Sequence, residues 1–203
     1  MGTTTDIRRV IIISLIMAVV IGGLYWFTSR YEATNQPPSQ QGENVGNTNM
    51  ENELTKETMK AAIKTDKGDI VLDLYPKAAP KTVENFVAKA KSGYFDGLKF
   101  HRVEDWVIQG GDPLSSDPAK EQLWGTGGGD IETELSDLPF VEGALGVARG
   151  QDINISNDSQ FFIVKRDSQF LDNKYTLFGQ VTSGMDVVNQ IEKGDKIISI
   201  VVE

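Results

Sequence analysis

The chain has no cysteine and a single histidine, His101. Without cysteine there is no disulfide framework and no lipid-modified thiol. One histidine is too few to ligate a metal through imidazole and thiolate donors. Positive charge is also scarce, with 20 basic residues against 29 acidic ones and a formal charge of −9. Nucleic acid is therefore not an expected partner, because phosphate contact needs clustered Lys and Arg. Anionic lipid should repel the polar part of the chain. The glycine-rich run Gly125-Thr126-Gly127-Gly128-Gly129 lacks the Lys-Ser/Thr of a phosphate-binding loop, and no obvious helix follows it. No internal repeat is visible.

One long apolar run is present, Val10 to Phe27, uninterrupted by polar charge. As a helix it would span roughly 27 Å, near the thickness of a bilayer's hydrocarbon core. Tyr25, Trp26 and Phe27 crowd one end as interfacial aromatics do, and Arg8 and Arg9 precede the run. The expectation is a single-pass anchor at 10–27, a short cytoplasmic amino terminus at 1–9, and the remainder extracytoplasmic. The alternative is a cleaved secretory signal, which this run exceeds in length and for which no A-x-A site follows. Gly2 invites myristoylation, but Asp6 stands where Ser or Thr is wanted. Residues 28–56, rich in Asn, Gln, Glu, Pro and Gly, cannot bury enough apolar surface to order themselves. They predict a flexible tether with an end-to-end distance of roughly 30 Å.

The folded part, 57–203, opens with two alternating runs, Met59-Ala61-Ile63 and Ile70-Leu72-Leu74, joined by a turn at Asp66-Lys67-Gly68. Val83, Phe86, Val87 and Ala90 make the stripe of a helix over 80–92, begun by Pro80 and ended by Gly93. Further strands are expected at 99–103, 106–109, 144–148, 160–164, 176–181 and 197–202, with a second helix over 185–193. About eight short strands, two helices and no βαβ rhythm predict a mainly β fold. Its form would be a closed eight-stranded antiparallel barrel capped by the helices.

The centre of this region is Phe100 to Asp112, FHRVEDWVIQGGD, taken with Ser159 to Ile163, SQFFI. Alternation places Val107 and Gln109 on one face of the first strand and Ile108 on the other. It pairs Gln160 with Phe162 in the second, opposite Phe161 and Ile163. The wholly apolar face should be core, and the mixed face should look outward. An Arg, two carboxamides and several large apolar groups can hold a peptide, yet they include neither nucleophile nor general base.

FHRV…QGGD, then SQFFI about fifty residues on, then FLDNKYTLFGQV, resembles the cyclophilin family of peptidyl-prolyl cis–trans isomerases across roughly Met59 to Glu203. The resemblance implies isomerase activity without a cofactor. It implies Arg102 as the donor to a twisted prolyl amide and Gln109 as its support. It implies a proline pocket from Trp106, Val107, Phe162, Leu171 and Tyr175, with Phe170 at the rim and Ala148, Arg149 and Gln160 also contacting substrate. The glycine-rich run then matches a structural loop bordering the groove. Several features depart from the family. The connection between Val103 and Ile108 is one residue shorter than is usual in animal members. Arg149 replaces a common Asn, Gly150 a common Ala, and about two extra residues lie between Ala148 and Gln160. Phe170 replaces a Trp, which implies weak cyclosporin sensitivity, and Tyr175 replaces a His; both resemble a bacterial branch.

Other side chains have plainer readings. His101 has the opposite strand parity to Arg102 and no Ser or Cys motif beside it, so a structural role is expected. Glu132 and Glu134 are expected to be solvated or bonded to loops rather than a glycosidase pair. The sequons at Asn154 and Asn157 border the proposed groove and are taken as chance. The expected partners are proline-containing unfolded or newly exported polypeptides, and the membrane through the amino-terminal run, for a monomeric protein. The competing reading is a chaperone or assembly factor that binds proline segments and isomerises them incidentally. A purely structural anchor protein is disfavoured by the assembled groove residues.

Overall fold

The structure, a computed structural model, describes Glu53 and residues 57–203. The expected anchor, 10–27, and all of the expected tether except Glu53 lie outside the described residues. Among the described residues no helix is long and apolar enough to cross a membrane.

Among the described residues the element order includes nine strands and two α-helices, with three short 3-10 turns between them. β1 (Met59–Thr65) and β2 (Gly68–Leu74) form the expected hairpin, with Thr65 opposite Gly68. The Thr65 hydroxyl accepts from Lys67 N at 3.1 Å and donates to Gly68 O at 2.8 Å, closing the turn. Ala61, Ile63, Ile70, Leu72 and Leu74 point inward, as their alternation predicts. α1 (Pro80–Lys91) follows. Its Ala79 cap has no side chain able to accept, and the Glu134 carboxylate serves instead. It accepts from Lys81 N (3.1 Å), Thr82 N (2.8 Å) and Thr82 Oγ1 (2.7 Å), satisfying donors that a helix start leaves unpaired. Glu134 is thus bonded to backbone, and Glu132 pairs with Lys81.

The remaining strands are β3 (Arg102–Val103), β4 (Val107–Gly110), β5 (Asp130–Glu132), β6 (Ala144–Arg149), β7 (Ile155–Val164), β8 (Leu177–Ser183) and β9 (Ile197–Val202). α2 (Met185–Gln190) lies between the last two and is three residues shorter than expected. Ile191 leaves the helix in an extended conformation, and Glu192 N turns back to Asp195 Oδ2 at 2.7 Å.

All strand pairs are antiparallel, in the order β3-β4-β7-β6-β8-β2-β1-β9, with β5 branching from β7. The expectation of a fully closed eight-stranded barrel needs correction. Eight strands do follow one curled path, but β3 has only two residues and cannot ladder with β9. Loop backbone carries the seam instead: Lys99 bridges Lys196, Phe100 N donates to Asp195 O at 2.9 Å, and Ile197 N donates to Leu98 O at 2.8 Å. β5 was missed altogether, being a three-residue piece inside a long loop.

Inside the curl, Phe86 packs against Phe95, Phe161 and Phe178 with ring centroids 5.2–5.7 Å apart. Ile63, Leu72, Ile108 and Ile163 complete this core. The second face of β4 and β7 is not outward, contrary to expectation. Val107 and Phe162 are buried in a second cluster with Leu138, Phe140, Leu171 and Leu177. The segments 133–143 and 165–176 supply several of these residues, so the sheet is sandwiched between two apolar layers. Each large side chain so buried contributes roughly 1.5–3 kcal/mol.

Candidate active site

Strand register sets the site. Arg102 on β3 lies opposite Gln109 on β4, Gln109 opposite Phe162 on β7, and Phe162 opposite Gly146 on β6. Directly opposed residues share a face, so these four form one row across the sheet. Gly146 is required in that row, because a Cβ there would run into the rings of Phe162 and Phe140.

A hollow of about 230 Å³ opens over the row. Phe162 forms part of its lining, with its ring stacked on Phe140 (5.7 Å) and met edge-on by Tyr175 (5.8 Å). Val107, Leu171 and Trp106 add apolar walls, Arg102 and Gln109 stand along one side, and Ala148 and Arg149 along another. All nine of these side chains were expected at the site. Phe170 stands at the rim as expected, 59% exposed, with its ring edge-on to Trp106 at 5.2 Å. Gln160 is the exception. It is buried behind Gln109 and does not line the hollow.

The position of Gln160 gives the carboxamides a defined direction. Its Nε2 donates to Gly125 O (3.1 Å) and Gly127 O (2.8 Å), groups that can only accept. Its Oε1 must then face Gln109, and it accepts from Gln109 Nε2 at 2.9 Å. That leaves Gln109 Oε1 to accept from Arg102 Nη1 at 3.2 Å. The carbonyls of the glycine-rich loop therefore determine, through two amides, which atom meets the guanidinium. The loop is itself held by Asp112, whose carboxylate accepts from Gly125 N, from Gly127 N at 3.4 Å and from Leu114 N at 2.8 Å.

Two residues not singled out from sequence complete the arrangement. Glu104 bridges the shortened turn between β3 and β4. Its Oε1 accepts from Arg102 Nε at 2.7 Å and its Oε2 from Trp106 Nε1 at 2.9 Å. The hydrogen bond from Arg102 holds the Glu104 carboxyl below the usual carboxylate range, so it is ionised at neutral pH. Arg102 is thus gripped on two edges, by Gln109 and Glu104, with its remaining edge free to donate. Asp112 is the other. Neither announces itself, since one resembles a surface acid and the other an ordinary turn residue.

His101 is buried on the opposite side of β3 from Arg102, and neither ring nitrogen has a hydrogen-bond partner. Burial pushes its imidazole below the ordinary histidine value, partly opposed by the nearby Asp112 carboxylate. Nothing in its surroundings makes it a base for chemistry in the hollow.

Comparison with known proteins identifies the domain: residues 60–200 match the cyclophilin type peptidyl-prolyl cis-trans isomerase/CLD family. The chain belongs to this family. It carries a cyclophilin-type peptidyl-prolyl isomerase domain over nearly all its described residues. Peptidyl-prolyl cis-trans isomerase cyp15 of Rhizopus delemar is 40% identical over 164 residues, which is 78% of this chain and 24% of that protein. The chain thus spans about a quarter of that relative's length. Human peptidyl-prolyl cis-trans isomerase-like 1 is 43% identical over 133 residues, covering 64% of this chain and 76% of its own. A crystal structure of a Cryptosporidium parvum cyclophilin superposes with a TM-score of 0.62 at 28% identity, over 72% of this chain and 98% of that one. A second structure of it, obtained in the presence of the dipeptide Ala-Pro, matches equally well. These eukaryotic relatives lend no support to the bacterial branch expected from Phe170 and Tyr175.

Proposed function

We propose that this cyclophilin domain accelerates rotation about X–Pro bonds by stabilising the twisted amide in the hollow between Arg102 and Phe162. The barrier to rotation is about 18–20 kcal/mol, because the nitrogen lone pair is delocalised into the carbonyl. No bond need break. A catalyst must bind the twisted form better than either planar form, and every 1.36 kcal/mol of preference is about tenfold in rate. The prolyl nitrogen offers a lone pair only when twisted, so a donor aimed at it is selective for the transition state. Arg102 supplies that donor. A charge-assisted hydrogen bond of about 1.5–3 kcal/mol corresponds to roughly 10–150-fold. Phe162, Val107, Leu171 and Trp106 hold the pyrrolidine ring while the preceding carbonyl swings.

The observation that carries this reading is a guanidinium held on two edges beside an apolar hollow. The Ala-Pro dipeptide used with the Cryptosporidium protein suits a hollow of this size. The run at 10–27 then serves as a membrane anchor and 28–56 as its tether, so that the domain acts outside the cytoplasm on unfolded or newly exported chains. Two experiments test the proposal. The purified protein should speed cis–trans exchange of a proline tetrapeptide, and absence of any acceleration by folded protein defeats the catalytic reading. Fractionated cells should hold the full chain in the membrane, and its recovery in the soluble cytoplasmic fraction defeats the anchor.

A further inference from the structure

The hollow has a second guanidinium, and its surroundings differ from those of Arg102. Arg149 ends β6 and lies half-buried along the wall facing the proline slot. Its Cζ sits 4.3 Å above the centre of the Tyr175 ring. Its Nε donates to Lys174 O at 2.8 Å and its Nη1 to Gly150 O at 2.9 Å. Those three contacts fix the planar group in place, so little side-chain freedom remains to be lost when a ligand arrives.

None of the contacts neutralises it. Both acceptors are neutral carbonyls, and among the described residues no carboxylate pairs with Arg149 within 4 Å. Arg102, by contrast, has Glu104 on its Nε edge. Nη2 of Arg149 has no hydrogen-bond partner among the described residues, and the side chain lines the hollow. Of the two guanidiniums lining the hollow, Arg149 is the one without a carboxylate partner. The adjoining surface has the opposite sign. Directly past Arg149, a neighbouring hollow of about 250 Å³ is lined by Gly150, Gln151, Asp152, Asp130 and Asn157. A negative side chain would be drawn to Arg149 and repelled one step further out.

We propose that Arg149 makes this groove selective for substrates bearing a carboxylate on a residue directly flanking the proline. The inference rests on the groove being the isomerase site. Arg149 acts here as a specificity residue, pairing with the substrate side chain and leaving the twisted nitrogen to Arg102. An exposed ion pair contributes up to about fivefold, and this is the preference expected for Glu over Gln at the flanking position. Peptides with the acidic residue three positions away should show none.

The test uses the full chain and a peptide series with one proline and Glu, Gln or Lys placed immediately before it, or immediately after it. The proposal expects a kcat/KM ratio for Glu over Gln of about two to five at one of the two flanking positions, a larger ratio for Glu over Lys, and erosion of both in high salt. Arg149→Gln should bring the Glu/Gln ratio to about one, whatever happens to absolute rates, and Arg149→Lys should restore part of it. A ratio near one for the unaltered protein at both positions overturns the proposal. So does a ratio that survives Arg149→Gln, which is what a purely structural Arg149 would give. If no peptide is turned over, the isomerase reading has failed instead. Peptide binding, followed by isothermal titration calorimetry, then decides the matter through the same Glu/Gln ratio in Kd.

Discussion

Replacing Gln160 with Leu removes a side chain that never touches the hollow, yet it should impair the site. Three hydrogen bonds are lost: one from Gln109 Nε2 and two to the carbonyls of Gly125 and Gly127. Gly127 O keeps the bond from Asn157 Nδ2 at 3.0 Å, while Gly125 O is left without its side-chain donor. At about 1 kcal/mol per bond, and with Leu as apolar as the space it enters, the net loss should be about 3 kcal/mol. For a domain of this size, that lowers the melting temperature by roughly 6–12 °C. Gln109 is then free to turn its amide over and present Nε2 to Arg102, donor against donor. The guanidinium retains Glu104, so the loss in kcat/KM should be partial, about tenfold or 1.4 kcal/mol. Gln160→Glu is the sharper variant. At neutral pH its carboxylate faces two carbonyls with no proton to give, and it should be worse than Leu. As pH falls and the carboxyl is protonated it regains one donor, so its activity relative to the unaltered protein should rise. The assay is kcat/KM on a proline tetrapeptide beside a thermal melt. The directional argument is refuted if Gln160→Leu melts within 2 °C of the unaltered protein and keeps its rate within about twofold.

Three further outcomes follow from the same geometry. Glu104→Gln keeps the shape of the turn but replaces a charge-assisted bond to Arg102 with a neutral one. It should lower kcat by about three- to tenfold with little change in melting temperature, and an unchanged kcat would remove Glu104 from the site. Gly146→Ala places a methyl against the rings of Phe162 and Phe140, so the floor must shift. Overpacking of this kind costs about 1–3 kcal/mol, and KM should rise with it; a variant of native stability and KM contradicts the packing described. His101 sets a pH effect. Its folded pKa lies below the unfolded value of about 6.5, so the unfolded chain binds more protons in that window and stability falls as pH drops below it. The slope from this one group is at most about 1.4 kcal/mol per pH unit, and His101→Phe should flatten it. Urea titrations at pH 7.5 and 5.5 that show no difference between the two proteins would contradict the assignment.

Part of the site was legible because Arg102, Val107, Gln109 and Phe162 lie in short strands, β3, β4 and β7, whose alternation can be read directly. Once β3, β4 and β7 are paired in the observed register, Arg102, Gln109 and Phe162 share a face. What escaped the sequence depends on contacts between distant segments. The second apolar layer is built by residues 133–143 and 165–176, whose Leu138, Phe140 and Leu171 look in isolation like stray hydrophobics in loops. Its presence turned an expected outward face into a buried one. Gln160 shares parity with Phe162 but is displaced from the lining by the glycine-rich loop, whose carbonyls no side-chain pattern reveals. Glu134 caps a helix that begins more than fifty residues earlier in the chain. The unclosed barrel has a similar cause, because strand length is set by where a turn falls, and the turn at Glu104 truncates β3.

The central claim is that a guanidinium at position 102 lowers the rotation barrier by donating to the twisted prolyl nitrogen. Its most direct test is the isomerisation rate of Arg102→Ala and Arg102→Lys on one proline tetrapeptide, with folding checked by thermal melt. Arg102→Ala should lose about 10–150-fold in kcat/KM, mostly in kcat, and Arg102→Lys should recover only part, because an ammonium cannot bond Glu104, Gln109 and substrate from one plane. A folded Arg102→Ala protein that isomerises at the unaltered rate contradicts the account.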